Sequence, residues 1–148
     1  MITVDIQIDS PRDIVWSAIT DIKRSMEMMP AILDVEIIEK PTSGLVGLKW
    51  QETREMFGQR ATETMWITDA QEGSHYFTRA ESHGSIYVTR IAVQEQGSGT
   101  TLIMEFSATP ISKAAKVMAL MTNLIAKRSI QKMLQKDLQD IKHWIEGR

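Results

Sequence analysis

The chain has 148 residues, 43% of them hydrophobic, enough to close a substantial core at the size of one domain. Charged residues make up 24% and the formal net charge is −2, which argues against a general nucleic-acid coat and against a chain kept soluble by self-repulsion. Cysteine is absent, so disulfides, thiolate nucleophiles, iron–sulfur clusters and thiolate zinc sites are excluded.

Ile2, Val4, Ile6 and Ile8 alternate with Thr3, Asp5, Gln7 and Asp9, the period-two pattern of a strand with one buried and one wet face. Ser10 then offers an N-cap, Pro11 suits a first helical position and Asp13 complements the exposed amides, so a helix is predicted from residue 11. Ile14, Val15, Ala18, Ile19 and Ile22 recur at helical spacing; Pro30 bars regular helix further on and leaves 23–29 as a short second helix. From Ile32 to Pro110 the residues turn β-branched, aromatic and alternating polar, punctuated by glycines. That character predicts an antiparallel meander with strands near 32–40, 48–57, 60–69, 75–82, 85–95 and 100–109, seven with the first. After Pro110 the apolar residues from Ala114 to Ile145 are spaced by three or four, with no proline or glycine before Gly147. A continuous helix over 111–146 would be roughly 54 Å long and needs a long partner surface, which in this chain is a curved antiparallel sheet. Repeats and linkers are not evident, so one domain over 1–148 is expected. The opening residues lack a basic flank with an apolar leader, and no stretch reaches the ~18 consecutive apolar residues of a membrane span, so a cytoplasmic location is the expectation.

This order of strand, two short helices, six-strand meander and long terminal helix resembles the START-like superfamily (SRPBCC, Bet v 1-like), which includes polyketide cyclases/dehydrases, birch-pollen-type allergens and lipid-transfer domains. The residues carrying the resemblance are the opening Val4-Asp5-Ile6-Gln7-Ile8-Asp9-Ser10-Pro11-Arg12-Asp13-Ile14-Val15-Trp16, the stretch Gly44-Leu45-Val46-Gly47-Leu48-Lys49-Trp50, the start Gly99-Thr100-Thr101-Leu102 of the last strand, and Asp137-Leu138-Gln139-Asp140-Ile141-Lys142. Each pattern is loose alone, and their order and spacing give the resemblance its weight. It implies an α+β helix-grip fold: a seven-stranded curved antiparallel sheet wrapped around a long C-terminal helix, with two short helices between strands 1 and 2. It also implies an internal cavity between sheet and helix that binds an apolar ligand.

Strand alternation places Leu48, Trp50, Glu52, Arg54 and Met56 on one face, and Leu102, Met104 and Phe106 on one face of the last strand. If Trp50 faces the cavity, Glu52 and Arg54 do too. A charged pair there must be satisfied by itself, a ligand or water; otherwise a splayed strand end or a bulge leaves both side chains wet. Ten methionines are many for this length, and Met26, Met28, Met29, Met118 and Met121 gather where a cavity mouth is expected, suiting a pocket that reshapes around apolar guests. Trp50, Trp66, Tyr76 and Tyr87 combine apolar walls with polar tips able to orient a ligand. Whether Trp66 or its neighbours Met65 and Ile67 point inward is left open by alternation. Trp16 and Trp144 read as packing residues at the ends of the fold.

The candidate ligand-binding residues are therefore Met28, Trp50, Arg54, Trp66, Tyr76, Tyr87, Met104, Phe106, Met118 and Met121, with Glu52 and Arg54 as catalytic candidates. His75 and His83 flank one predicted strand and His143 lies on the polar side of the last helix, positions expected at the surface. The sequence holds no HExxH, GxSxG or Walker loop, so neither a metal nor a cofactor is expected. Residues 111–148 carry a net +5 and residues 1–110 a net −7. Arg128, Lys132 and Lys136, with Lys127 beside them, form a basic ridge. Such a ridge reads either as a solvated helix face or as a contact for an anionic membrane or RNA. The sequence thus points first to a cytoplasmic binder of a hydrophobic or amphipathic small molecule, lipid or polyketide-like, monomeric or homodimeric. A polyketide cyclase/dehydratase-like enzyme using the same cavity is the alternative, and an adaptor with weak membrane or RNA association through the basic helix is the third. No specific nucleic-acid partner is expected.

Overall fold

Seven antiparallel strands form one sheet in the order β1-β7-β6-β5-β4-β3-β2 in the computed structural model, which describes residues 1–120 and 126–148 with their side chains. The strands are β1 (Ile2–Ile8), β2 (Ile32–Glu39), β3 (Lys49–Met56), β4 (Gln59–Gln71), β5 (His75–Ser82), β6 (Ser85–Gln96) and β7 (Gly99–Pro110). Helix α1 (Arg12–Thr20), a 3-10 turn (Ile22–Arg24) and α2 (Ser25–Met28) connect β1 to β2, and α3 (Lys113–Glu146) closes the chain. The meander β2–β7 follows from short glycine turns, and β1 joins at its far end by pairing with β7 from Ile2↔Phe106 to Ile8↔Thr100.

The start of α1 differs from the expected cap. Pro11, not Ser10, is the N-cap residue, and no side chain caps the helix. The Ser10 carbonyl instead accepts a hydrogen bond from Thr100 Oγ1, which ties the entry of α1 to β7. The start of α3 is fixed from outside the helix: the β5–β6 turn runs through His83 (φ 51°) and Gly84 (φ 75°), and the Gly84 carbonyl accepts from the backbone N–H groups of Ile111 and Ser112. Ser112 caps α3 by accepting from the Ala115 N–H. A Cβ at Gly84 would overlap the Ser112 side chain, so this turn and this cap fit together only with glycine there.

The second half of α3 packs as its spacing demands. Leu134, Leu138, Ile141 and Ile145 are buried at intervals of four, three and four residues, facing β1 and β7. Polar contacts fix the same half along the free edge of β1. Gln135 donates to the Asp5 carbonyl and Lys142 to that of Gln7, while Glu146 accepts from the Asp9 N–H. These bonds satisfy backbone groups that an edge strand would otherwise leave open. The first turns of α3 are different: Val117 and Met118 are exposed and Leu120 is 86% exposed, so the helix does not lie in the sheet over its whole length.

Candidate functional site

Between the sheet and α3 lies a cavity of about 380 Å³, within the range of roughly 300–1,000 Å³ common for small-molecule sites. Its walls follow from strand register. Trp50 lies opposite Met65, Met65 opposite Ala80 and Ala80 opposite Tyr87, which makes a row across β3, β4, β5 and β6. A second row runs Tyr76, Ile91 and Met104. All of these line the cavity, as do Met28, Met29 and Phe106. Because the β-period is two, the inward set of β3 is Trp50, Glu52, Arg54 and Met56. The register does not flip there, so both charged side chains point inward.

Arg54 is held by a partner the sequence reading did not name. Its two terminal guanidinium nitrogens donate to the Asp137 carboxylate of α3 at 3.0 Å, and Asp137 is buried. Glu52 stands beside this pair with its carboxylate 3.9 Å from Arg54 Nε, outside hydrogen-bond distance. Arg54 Nε and the indole Nε1 of Trp50, itself only 2% exposed, are buried with no well-formed hydrogen bond among the described residues. Burial pushes the Glu52 carboxyl above its ordinary range; Arg54 and the Trp50 indole oppose the rise, and Asp137 and Glu63 add to it. Glu63 faces Glu52 directly across the β3–β4 pair. Burial also pushes Asp137 upward, against the pull of Arg54. The Tyr76 hydroxyl is raised by complete burial and donates to the Ile19 carbonyl at 2.8 Å. Among the described residues, no group of three His, Asp or Glu side chains could hold a metal ion.

The structure brings together Met28, Trp50, Glu52, Arg54, Tyr76, Tyr87, Met104 and Phe106 around the one cavity. Trp66 is not among them. Inward placement of Met65 and Ile67 turns Trp66 to the opposite face of the sheet, where Lys49 Nζ lies 5.8 Å from its ring centroid. A bulge between Ile67 and Asp69 then shifts parity, so Ala70 follows Ile67 on the inner side opposite Tyr76. Met118 is also displaced from the expected role: it sits on the projecting part of α3, 58% exposed. Met121 lies outside the described residues. Of the groups expected to orient a ligand, Arg54 spends its terminal nitrogens on Asp137 and Tyr76 its hydroxyl on Ile19, whereas Tyr87 stacks against Phe106.

Asp137, Glu63, Phe57 and Met133 also line the cavity and were not singled out from sequence. Asp137 carries a readable signal, a carboxylate inside the apolar stripe between Leu134 and Leu138. Phe57, in the β3–β4 turn, has φ 52° and is 66% exposed, an uncommon conformation for a bulky residue. The basic ridge of α3 faces solvent at Lys127, Arg128, Lys132 and Lys136, and Lys136 pairs with Asp140. No helix among the described residues is long and apolar enough to cross a membrane.

A family model described as polyketide cyclase / dehydrase and lipid transport matches residues 1–146. No curated protein matches the chain. Among solved structures, a protein from Thermus thermophilus has a TM-score of 0.82 at 10% identity, covering 99% of this chain and 97% of that one. A START superfamily protein from Mycobacterium smegmatis has a TM-score of 0.79 at 13% identity, covering 99% and 97%. The di-domain ARO/CYC BexL from the BE-7585A biosynthetic pathway has a TM-score of 0.81 at 17% identity, with 99% of this chain covering 50% of that one. At these identities the likeness shows the helix-grip fold.

Proposed function

Because the chain belongs to the polyketide cyclase / dehydrase and lipid transport family, we propose that it encloses an apolar or amphipathic small molecule in the cavity between sheet and α3. The observation that carries this reading is the hollow itself: apolar side chains from β3 to β7, α2 and α3 surround about 380 Å³ that no described side chain fills. Interiors are otherwise packed to crystal-like density, so an apolar hollow of this size, partly open at its mouth, offers walls that a guest can cover. A guest that buries on the order of 250 Å² of apolar surface recovers roughly 6 kcal/mol before ordering costs, at ~25 cal/mol per Å².

Two measurements test this. Native mass spectrometry of protein purified from cells is expected to retain a hydrophobic guest. Ala80→Leu, which adds bulk at a buried wall position, is expected to displace that guest while the protein still folds. Absence of any guest, together with no thermal shift across a panel of lipids and fused-ring aromatics, refutes the reading.

A second reading, a cyclase/dehydratase-like enzyme, is favoured by Glu52. A buried carboxyl raised in pKa at the wall of an apolar cavity suits proton transfer to or from an enolisable guest, and holding a flexible chain folded supplies rate through orientation. This reading requires that Glu52→Gln abolish turnover of a bound poly-β-keto chain while leaving its binding intact. Unchanged turnover removes Glu52 from the mechanism.

A further inference from the structure

The charge inside the cavity restricts what can enter it. Four side chains with carboxyl or guanidinium groups line the walls: Glu52, Glu63, Asp137 and Arg54. The five residues outside the description are Met, Thr, Asn, Leu and Ile and add no formal charge. Arg54 and Asp137 cancel through their two-pronged contact at 3.0 Å, so the guanidinium that would greet an anionic headgroup is already occupied from α3. What remains among the described residues is a pair of acid groups with no free cation beside them, Glu52 and Glu63 across the strand pair. A carboxylate or phosphate entering here meets two acid groups and no unpaired guanidinium nitrogen at the Arg54 fork to balance it, in a medium that screens poorly.

The same spot has unused hydrogen-bonding capacity. Trp50, Glu52 and Arg54 occupy alternate positions of β3, so Glu52 stands between the other two on the inner face. Among the described residues Arg54 Nε is a buried donor without a partner, 3.9 Å from the Glu52 carboxyl, while the Trp50 indole N–H leans toward the same carboxyl without reaching good hydrogen-bond geometry. Buried donors left in this way are costly and point to a missing acceptor. A hydroxyl group offers one O–H donor and two lone pairs. It can donate to the Glu52 carboxylate and accept from a flanking N–H, and if Glu52 holds its proton the hydroxyl oxygen accepts that as well. A carboxylate can only accept, and it adds a charge that Arg54 is not free to balance.

We infer that the cavity selects a neutral hydroxylated guest, an alcohol or phenol on an apolar body, and rejects carboxylates and phosphates of the same shape. This inference rests on the enclosing function proposed above and adds the chemical class of the ligand. The sites recognised are the O–H at Trp50–Glu52–Arg54 and the apolar body along Met65, Tyr87 and Phe106.

Matched pairs test it: 1-decanol against decanoate, and 2-naphthol against 2-naphthoate, titrated at neutral pH by calorimetry and by quenching of tryptophan fluorescence. In each pair where the alcohol or phenol binds, it is expected to bind at least about tenfold more tightly than the carboxylate. Affinity for the carboxylate is expected to rise as pH falls toward its protonation range, while that for 1-decanol changes far less. Glu52→Gln removes the acid group that faces the guest and should narrow the gap. Asp137→Asn loosens the hold on the guanidinium and should narrow the preference against the carboxylate, more so when combined with Glu52→Gln; if that variant does not fold, Glu52→Gln alone decides. A carboxylate that binds the native protein as tightly as its neutral partner, or a gap that Glu52→Gln leaves unchanged, overturns the inference while leaving enclosure standing. Failure of all four probes to bind overturns this inference, and the enclosing function falls with it when native mass spectrometry also finds no guest.

Discussion

Asp137→Asn tests whether the Arg54–Asp137 pair is held as the structure describes. The substitution preserves shape, removes the charge and leaves one carbonyl acceptor where two carboxylate oxygens met the guanidinium at 3.0 Å. Removing one partner of a buried ion pair costs about 3–5 kcal/mol because the other charge is stranded. Here Glu52 stands only 3.9 Å from Arg54 Nε and can take up part of that charge, which places the expected loss near the low end, about 3 kcal/mol. For a chain of this size each kcal/mol shifts Tm by roughly 2–4 °C, so a fall of roughly 6–12 °C is expected. A double-mutant cycle sharpens the test. In the native background Glu52→Gln removes a carboxylate that burial disfavours and should be neutral or stabilising. In the Asp137→Asn background it removes the carboxyl group that still stands beside Arg54 among the described residues and should destabilise. Urea unfolding at pH 7 of the four proteins measures the coupling, expected at about 1–3 kcal/mol. A loss under about 1 kcal/mol for Asp137→Asn, or the same effect of Glu52→Gln in both backgrounds, refutes the reasoning.

The raised carboxyl of Glu52 predicts a pH dependence of definite sign. With the folded pKa above the ordinary value of 4.5, the folded protein keeps a proton that the unfolded chain has lost, so stability falls as pH rises through that interval. Glu52→Gln should therefore show a shallower decline above pH 4.5 in denaturant midpoints, and parallel profiles for the two proteins would contradict the assignment. At the β3–β4 turn, Phe57 and Gly58 both have positive φ, the geometry that favours Asn-Gly, so Phe57→Asn is expected to gain about 1 kcal/mol. An unchanged or lowered Tm would show that Phe57 is held there by contacts outweighing its backbone strain. Replacing Arg128 and Lys132 by alanine should alter stability by less than about 0.5 kcal/mol and leave small-molecule binding intact, since both side chains face solvent. Salt-sensitive loss of binding to anionic vesicles in that variant would instead assign the ridge a surface-docking role.

The architecture was legible because each element announces itself locally. Alternation in Ile2–Ile8, helical spacing in α3 and glycines at the turns of the meander fix type and order without reference to any partner. The inner face of β3 was legible for the same reason: once Trp50 is inside, period two carries Glu52, Arg54 and Met56 with it. Trp66 was misplaced because a single strand does not reveal which parity is inward; the pairing of Met65 with Trp50 and Ala80 decides it, and that pairing is a property of three strands. Met118 was misplaced because amphipathic spacing continues into turns of α3 that extend past the sheet, and periodicity does not encode where the partner surface ends. The N-cap of α1 moved by one residue because Ser10 has a competing use, its carbonyl bonding Thr100 across 90 positions of sequence.

The placement of the hollow follows from how α3 divides its contacts. On one side its leucines and isoleucines lie directly on β1 and β7, and its polar residues close the β1 edge, so that side is solid. On the other side α3 reaches β3 through side chains, Asp137 to Arg54, across the curve of the sheet. A helix seated that firmly on one margin of a bent sheet stands away from the opposite margin, and the space between becomes the cavity. The ion pair is then a strut as well as a charge balance: a short apolar side chain at position 137 would remove both the tie that holds β3 in position and the compensation for Arg54. The residue that keeps the walls in place is therefore the one that occupies the guanidinium, and the same bond that supports an open cavity leaves Glu52 to set which guests it admits.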